Sequence, residues 1–490
     1  MIPHISRARM KLINPLVVIY ILSAILLFTA VSFLLCIPLA LIYRESPAPF
    51  VLSSLITLAI SVILYLISRK ASRERANIRE GSLAVSLAWL VLSAAGSLPY
   101  LLSGAIPSFT NAFFETVSGF TTTGATILSD IESLPYSILF WRSLTHWIGG
   151  LGIIMFVIII MPSLGMTANQ LLPLESSLKE KIHPKTKSVA IRLLYVYLGL
   201  TVTQVLLLVA GDMNLFDSIC HTFSTVATGG FSPKNTSLMD YSAWSQYIIA
   251  IFMFLSGVSF VIYYYIFNFN FRKVRYNDEL WYYLSVTLFF GVLVSCILLA
   301  NTTKPLETAF REGFFQVISI ITTTGFASAD YLKWPAAATI VVFLLLFSGA
   351  CTGSSTGGIK MARHLLVFKN IRGALLRLVH PGMITQIRIN NQAISNQQNL
   401  SGITFLIIYI ILFLAGSIVL AITGLDPLTA ISASASSLGN VGPGLGTIGP
   451  VHNFFHLSAI GKYICCLLMI IGRLEIYTFF ILFTRSFWRI

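Results

Sequence analysis

Residues 319–327 read Ser-Ile-Ile-Thr-Thr-Thr-Gly-Phe-Ala, a nine-residue frame that opens on serine and has glycine at its seventh position. The same frame occurs without gaps at 118–126 (Ser-Gly-Phe-Thr-Thr-Thr-Gly-Ala-Thr), 224–232 (Ser-Thr-Val-Ala-Thr-Gly-Gly-Phe-Ser) and 436–444 (Ser-Ser-Leu-Gly-Asn-Val-Gly-Pro-Gly). The seventh-position glycines recur about every 100 residues. Such a period indicates four copies of one structural unit.

The composition is that of a membrane protein. Of 490 residues, 56% are hydrophobic and 10% are charged, whereas soluble domains carry about 25% charged residues. Apolar runs of about 20 residues recur along the chain, and each is long enough to cross a membrane as a helix. The six cysteines fall in or beside these runs without metal-ligand spacing, which favours core packing. The net charge of +14 lies in short loops between the runs, so we expect it to orient the chain rather than to bind nucleic acid.

The order of these runs predicts ten membrane spans. Two of them, at 15–39 and 50–68, form a hairpin ahead of the first frame. From residue 81, one pattern recurs four times: an outer spanning helix (M1), a short pore segment that ends in the frame (P) and an inner spanning helix (M2). The sequence therefore predicts an all-α polytopic membrane protein, with four M1-P-M2 repeats around a pseudo-fourfold pore plus the N-terminal two-helix hairpin.

The repeat boundaries follow from this pattern. The predicted divisions are 1–80 for the hairpin and a cytoplasmic loop, and 81–187, 188–279, 280–399 and 400–490 for pore repeats 1 to 4. The inner helices are predicted at 137–161, at 246–269, from 336 onward and at 457–483.

Basic residues cluster on one side of the predicted membrane. They follow the second hairpin helix and each of the first three repeats, and Arg485 and Arg489 near the C-terminus fall on the same side. The positive-inside rule therefore predicts that both termini are cytoplasmic. The first apolar run has more than about 20 residues and lacks a small-residue cleavage site, so we expect it to be retained in the cytoplasmic (inner) membrane.

Each frame follows a segment of about 10 to 15 residues, which is too short to span and must enter the membrane and turn back. Its threonines and serines supply hydroxyl oxygens, and its glycines permit dihedral angles that aim successive carbonyls inward. Four such turns around one axis predict a ring of carbonyls that replaces the hydration shell of a monovalent cation of about potassium size. The predicted ligands are Thr122, Thr123, Gly124, Thr228, Gly229, Gly230, Thr323, Thr324, Gly325, Asn440, Val441 and Gly442. Helix-packing faces or exposed turns are the alternative reading of any single frame.

These motifs resemble a known superfamily. The four M1-P-M2 units, the frame cores at 121–124, 227–230, 322–325 and 440–443, and Gly-Arg-Leu-Glu at 472–475 are similar to the Trk/Ktr/HKT potassium transporters. The extra hairpin is similar to the TrkH-type membrane subunits. The resemblance implies potassium uptake, a homodimer in membrane lipid, and a cytosolic nucleotide-binding ring subunit of the TrkA type as partner. It implies potassium as the bound ion and no organic cofactor in this chain. By the family pattern, a serine in the first frame would have indicated sodium passage, but glycine stands at all four key positions.

The third inner helix is predicted to break after about Phe347. Residues 348–358 then read Ser-Gly-Ala-Cys-Thr-Gly-Ser-Ser-Thr-Gly-Gly, and a break at this depth should line a cavity. A phosphate-binding loop is disfavoured because no Gly-Lys-Ser/Thr follows and no strand precedes it. The resembling family has an intramembrane gate loop at this place, and a glycine-kinked packing helix is the alternative. The predicted gate residues are Gly349, Gly353, Ser354, Ser355, Thr356, Gly357 and Gly358.

Three charged or titratable residues stand out within the spans. Arg473 lies near the middle of the last apolar run, and we predict that it sits under the filter as an electrostatic barrier together with the gate loop. Structural pairing with Glu475 or with a filter-side carbonyl is the alternative. Arg142 and His146 are four residues apart beside two tryptophans, a pattern that predicts a position at the outer membrane interface.

Other function classes fit the sequence less well. Secondary transporters of small solutes also use broken helices and repeats, but inverted repeats are expected there, whereas these four units all start on the same side. A sodium-permeable cation transporter is a nearer alternative. A membrane-embedded enzyme needs clustered His, Asp or Glu inside the spans, and the eight histidines are scattered. The sequence leaves open whether flux is channel-like or a symport with protons or sodium.

Overall fold

The computed structural model describes residues 13–69, 78–155, 186–383, 386–390 and 392–488. This part of the chain is helical apart from connecting loops and one short antiparallel pair, Arg388–Ile389 with Gln392–Ala393. The all-α prediction is therefore confirmed. The N-terminal basic segment, most of the basic loop after the hairpin and the one after repeat 1 lie outside the described residues, as does Arg489.

The N-terminal hairpin packs as two antiparallel helices. Pro15–Leu34 continues through a short break into Ile37–Ile42, and Ala48–Ser68 returns beside it. Small hydroxyl residues join the two: Ser54 donates to the Ala30 carbonyl at 2.9 Å and Ser61 donates to the Ser23 carbonyl at 2.7 Å. Such residues let helices approach closely in lipid, where no hydrophobic effect drives association.

Four outer helices and four pore helices follow in alternation. The outer helices are Ile78–Gly96 with its continuation Leu98–Leu102, Thr186–Val209, Asp278–Asn301 and Asn396–Ile422. Pore helices 1 to 4 are Phe109–Phe120, Leu215–Val226, Leu306–Ile321 and Pro427–Gly439. Side-chain caps begin two of the pore helices: Asn214 accepts from the Asp217 N–H, and Asp426 accepts from the Thr429 N–H. Each pore helix ends within its frame, so the frames lie where the chain turns back.

Three of the four inner helices are interrupted. Inner helix 1 is Tyr136–Met155. Inner helix 2 bends by 91° between Ala243–Ser256 and Phe260–Phe267, and inner helix 4 bends by 106° after Ala459–Arg473, before Tyr477–Phe480 and the 3-10 turn Ile481–Phe483. The helices predicted at 246–269 and 457–483 are therefore each broken by a sharp bend. Inner helix 3 consists of Ala336–Leu345, an irregular segment and Met361–Val379, as predicted.

The number of spans agrees with the predicted architecture. Six described helices are long and apolar enough to cross a membrane, and the two bent pairs raise the number to eight. Inner helix 1, Tyr136–Met155, and the shorter apolar helix Ala336–Leu345 lie where the other two inner spans were predicted. Four short segments follow or connect these elements: Phe271–Arg275, the 3-10 turns Tyr331–Lys333 and Gly446–Ile448, and Arg485–Trp488.

Candidate functional site: a filter ring and the loop beneath it

The four frames share one backbone conformation. Their fifth residues, Thr122, Thr228, Thr323 and Asn440, all have φ between 52° and 56°, and their seventh-position glycines have φ between 80° and 99°. A left-handed residue at alternate positions turns successive peptide groups toward the same side of the strand. The fourth frame follows this conformation although its side chains differ, which supports its alignment with the other three.

Backbone hydrogen bonds hold every frame in the same way. The N–H of the sixth residue donates to the carbonyl of the opening serine at 2.7 to 2.9 Å, and the N–H of the fifth donates to the carbonyl of the second at 2.9 to 3.3 Å. In frames 3 and 4 the hydroxyls of Ser319 and Ser436 also donate to the carbonyls of Phe326 and Gly442. The opening serine thus anchors the strand that leaves the pore helix.

The frames close into a ring. A Cβ atom on Gly124 would lie 2.1 Å from the Gly229 carbonyl oxygen, one on Gly230 would lie 1.9 Å from that of Thr324, and one on Gly325 would lie 2.0 Å from that of Val441. The fourth contact returns to the start, because a Cβ on Gly442 would lie 2.5 Å from the Thr123 carbonyl oxygen. Each glycine therefore meets the sixth-position carbonyl of the next repeat, and any side chain there would displace it.

The threonine hydroxyls of the ring have partners within the protein. Thr123 Oγ1 lies 2.8 Å from Thr121 Oγ1, and Thr324 Oγ1 lies 2.9 Å from Thr322 Oγ1. Asn440 Nδ2 donates to Thr123 Oγ1 at 3.0 Å, joining frame 4 to frame 1. These bonds fix the sixth-position side chains, so the backbone carbonyls are the best candidate ligands for a cation.

A vestibule opens on one side of the ring. This cavity of about 100 Å³ is lined by all four seventh-position glycines and by residues of the loops after the frames. Lys234 is one of them, and it forms an ion pair with Glu132 at 3.0 Å. This hydrogen bond raises the pKa of Lys234, so the ammonium stays charged at neutral pH beside the mouth of the ring.

The glycine-rich segment of inner helix 3 lies on the opposite side of the ring. The Gly357 N–H donates to Thr323 Oγ1 at 2.8 Å, and Thr228 Oγ1 lies 3.2 Å from Ser355 Oγ. A Cβ on Gly357 would lie 2.4 Å from the Gly439 carbonyl oxygen in the last turn of pore helix 4. The segment thus contacts residues of repeats 2, 3 and 4 on this side of the ring. We call residues 348–358 the gate loop.

Arg473 reaches the gate loop from inner helix 4. It is the last residue of its helix, not the middle of a continuous run, because Glu475 and Ile476 turn the chain with φ of 52° and 58°. Its guanidinium is 4% exposed and donates to the carbonyls of Ser355 and Gly149. Glu475 pairs instead with Arg363 at 2.6 Å. Arg473 thus bonds to the gate loop and to inner helix 1 rather than to Glu475, and its role as a barrier stays a prediction.

The base of the gate loop is held by two further charged residues. The Glu279 carboxylate accepts from the Thr352 N–H, the Thr352 hydroxyl and the Ala362 N–H at 2.6 to 3.1 Å, so it binds both limbs of the loop. Lys360 donates to the carbonyl and hydroxyl of Thr356. A cavity of about 40 Å³ beside the loop is lined by Lys360, Arg473 and Glu475.

The prediction for Arg142 and His146 is wrong. Both are buried, at 2% and 0% exposure, behind the filter. Arg142 pairs with Glu115 of pore helix 1 at 2.7 Å, donates to the Ser232 carbonyl at 2.8 Å and lies 3.6 Å from the centre of the Phe231 ring. The His146 ring also stacks on Phe231, with 4.0 Å between the two ring centres. A carboxylate in a short membrane helix needs a partner, and Glu115 was the signal that could have indicated this pair.

Comparison with known proteins agrees with this geometry. The sequence profile of the TrkH family, described as cation transport protein, matches residues 48–490. The chain belongs to the TrkH family. It is 36% identical to the Trk system potassium uptake protein TrkH of Salmonella typhimurium, over 92% of this chain and 94% of that protein. It is 34% identical to the protein of the same name from Halomonas elongata, over 96% and 99%.

A solved structure extends the match to three dimensions. The crystal structure of the potassium transporter TrkH from Vibrio parahaemolyticus superposes with a TM-score of 0.88 at 32% identity, covering 97% of this chain and all of that one. The family resemblance noted from the frames and the Gly-Arg-Leu-Glu motif is therefore confirmed, as is the fold of four repeats and an N-terminal hairpin.

Proposed function

We propose that this TrkH family member is the pore-forming subunit of a potassium uptake system and conducts potassium selectively. The observation that carries the proposal is the closed ring, in which each key glycine meets the sixth-position carbonyl of the next repeat. The relatives in the comparison are named as potassium uptake proteins. The family transports ions and is not an enzyme family, and a secondary transporter of small solutes is not favoured.

Selectivity rests on backbone carbonyls. Their oxygens replace part of the hydration shell of potassium at the sixth and seventh positions, and the pore-helix C-termini add partial negative charge. The key glycines keep side chains out of the ring, and the absence of a serine at Gly124 favours potassium over sodium passage. We propose as potassium ligands the same twelve residues that the sequence predicts, from Thr122 to Gly442. We also propose the repeat boundaries given in the sequence analysis.

The gate loop and Arg473 act together as the gate. Residues Gly349 and 353–358 lie across the path beneath the ring, and Arg473 adds a buried positive charge that repels cations there. Opening requires the loop tip to leave Thr228 and Thr323. The glycines of the loop permit this movement at low conformational cost.

The wider assembly follows from the family. The protein is a multi-pass membrane protein, and we place it in the cytoplasmic membrane with both termini cytoplasmic, because its basic loops lie on one side. The relatives are named as parts of a Trk system, which indicates more than one subunit. The proposed partners are a second copy of the chain and a cytosolic nucleotide-binding ring that docks on the basic loops.

Reconstitution of the purified chain tests the function. Liposomes that contain the protein should take up potassium faster than protein-free liposomes, and should take up a neutral solute of similar size no faster. An imposed proton gradient should leave potassium uptake unchanged if the flux is channel-like, and should change it if potassium is transported together with protons. Potassium uptake equal to that of empty liposomes, with folded protein inserted, contradicts the proposal.

A further inference from the structure

One segment, residues 257–279, has an exposed middle at 266–272 and is tied to the gate loop at both of its buried ends. At its start, the Gly257 carbonyl accepts from the Cys351 N–H and the Phe260 N–H donates to the Gly353 carbonyl, both at 3.0 Å. At its end, Glu279 binds both limbs of the loop. We call this segment the strap. Because it is attached on each side of the loop base, a displacement of the strap acts on the loop.

The strap lies at the membrane surface. Inner helix 2 bends by 91° after Ser256, so if its first half follows the membrane normal, Phe260–Phe267 runs along the membrane plane. The next outer helix, Asp278–Asn301, has 24 residues, a length of about 36 Å, which spans the hydrocarbon core and leaves its first residue at the interface. The strap therefore connects two helices at the level of the lipid headgroups, on the side of the gate loop.

The side chains of the strap suit that position. Phe267, Phe269, Phe271 and Tyr276 are 55% to 82% exposed, and aromatic residues of this kind concentrate at membrane interfaces. Arg272 and Arg275 are exposed between them, and Lys273 lies 5.0 Å from the centre of the Tyr265 ring.

Up to residue 277 the strap carries only positive charge. Residues 257–277 contain no aspartate or glutamate. The adjacent Asp278 already pairs with Lys369 at 2.8 Å, and Glu279 is committed to the gate loop. The segment thus presents exposed aromatics together with the exposed Arg272 and Arg275 at the membrane surface, which is the pattern that binds anionic lipid headgroups.

We infer that the strap binds anionic phospholipid and that this binding biases the gate. The inference rests on the proposed function, since it needs a conducting pore. The strap has this conformation while the gate loop lies under the filter, so a lipid that binds it stabilises the obstructed state. Anionic lipid is therefore expected to lower the basal potassium flux.

Lipid binding is tested by native mass spectrometry of the full-length protein titrated with phosphatidylglycerol or phosphatidylcholine. The wild type should retain phosphatidylglycerol preferentially, and Arg272→Gln/Arg275→Gln should weaken that retention by about tenfold or more. The control Arg372→Gln/Arg377→Gln removes two exposed arginines from the neighbouring helix Met361–Val379 and should retain the lipid as the wild type does. Equal retention by all three proteins overturns the site. A change in oligomer mass with unchanged lipid retention assigns the surface to a second copy and also overturns it.

Coupling to the gate is tested by potassium flux in liposomes. In the wild type and the control, flux should be several-fold lower in vesicles of equal parts phosphatidylglycerol and phosphatidylcholine than in phosphatidylcholine alone. Arg272→Gln/Arg275→Gln should lose this difference. Glu279→Gln, which weakens the tie to the loop, should still bind the lipid but respond less in flux.

The outcomes separate the two proposals. Absence of potassium flux in both lipids contradicts the proposed function. Normal potassium flux that is the same in both lipids, or that rises with phosphatidylglycerol, leaves the pore intact and overturns the role of the strap. A Glu279→Gln protein that responds as the wild type does overturns the coupling through the loop base.

Discussion

Arg473 Nη1 donates a 2.6 Å hydrogen bond to the Ser355 carbonyl at the tip of the gate loop. The same guanidinium also donates to the Gly149 carbonyl of inner helix 1 at 3.2 Å. The loop tip in turn contacts Thr228 of the filter. One buried cation therefore links the loop to inner helix 1. Under the proposed gating, the stability of this contact sets how often the path is open.

Replacing Arg473 with alanine should raise the basal potassium flux. A hydrogen bond to a charged group contributes about 1.5 to 3 kcal/mol, so its loss increases the open population by about tenfold or more. Flux of the purified variant in liposomes measures this effect, with Arg377→Ala, an exposed arginine of the helix Met361–Val379, as control. A variant that folds and conducts less than the wild type contradicts the barrier.

Shortening the gate loop by residues 354–357 should also raise the basal flux, because the segment beneath the ring is then removed. In the shortened background, Arg473→Ala should add little, since both changes remove the same obstruction and coupled sites are not additive. The flux of the two single variants and of the combination gives the answer. Unchanged flux in the shortened protein would show that the segment is only a packing element.

Substitution of a filter glycine should damage selectivity. In Gly124→Ser, the new side chain occupies space within 2.1 Å of the Gly229 carbonyl oxygen and forces that ligand away. We expect at least about a tenfold loss in the ratio of potassium to sodium flux. Gly104→Ser is the matched control, because Gly104 also has a positive φ, of 73°, but nothing lies within 4 Å of its Cβ position. An equal effect of both variants would assign the loss to backbone strain alone.

Breaking the buried pair of Glu115 and Arg142 should destabilise the fold. Either Glu115→Ala or Arg142→Ala leaves an unpaired charge in the interior, at a cost of about 3 to 5 kcal/mol. Thermal unfolding in detergent should show a large decrease for each variant. Lys333→Ala removes a partner of an exposed ion pair and should change stability by less than about 1 kcal/mol. Similar melting temperatures for all of these proteins would contradict the structural role of the pair.

The ion pair at the vestibule should affect cation entry into the pore. Glu132→Gln leaves Lys234 as an uncompensated positive charge beside the mouth, which repels incoming potassium. Uptake at low potassium should slow several-fold at low ionic strength and recover as added salt screens the charge. Glu132→Gln/Lys234→Gln should restore the wild-type rate. A slow double variant would show that the loop conformation, and not the charge, determines entry.

The repeated architecture can be predicted from the sequence because each repeat contains the same serine-to-glycine frame. The spacing of Ser319 to Gly325 recurs in all four frames, and the structure gives each frame the same pair of left-handed residues. The fourth frame differs in side chains, because Asn440 and Val441 stand where frames 1 and 3 have threonines. Asparagine adopts the left-handed conformation more readily than most residues, so the backbone of Asn440 could have been predicted from its residue type.

The bends and the buried pair depend on contacts between residues that lie far apart in the sequence. Apolar residues continue through Gly257 and Val258, so hydropathy alone indicates one span, but the chain turns where Gly257 and Phe260 bond to the gate loop. Arg142 and His146 lie beside tryptophans in sequence, as interfacial residues do. Arg142 is nevertheless buried, and it forms an ion pair with Glu115, 27 residues away. Sequence patterns report the face of a helix and not the partner that covers it.

The central claim is that four carbonyl-lined frames form one potassium-selective ring. It is tested most directly by the reversal potential of the reconstituted protein with potassium on one side of the membrane and sodium on the other. The ring predicts a potential far toward that of potassium, with a permeability ratio of about ten or more, and a loss of that potential in Gly124→Ser but not in Gly104→Ser. A reversal potential near zero for the wild type would contradict it.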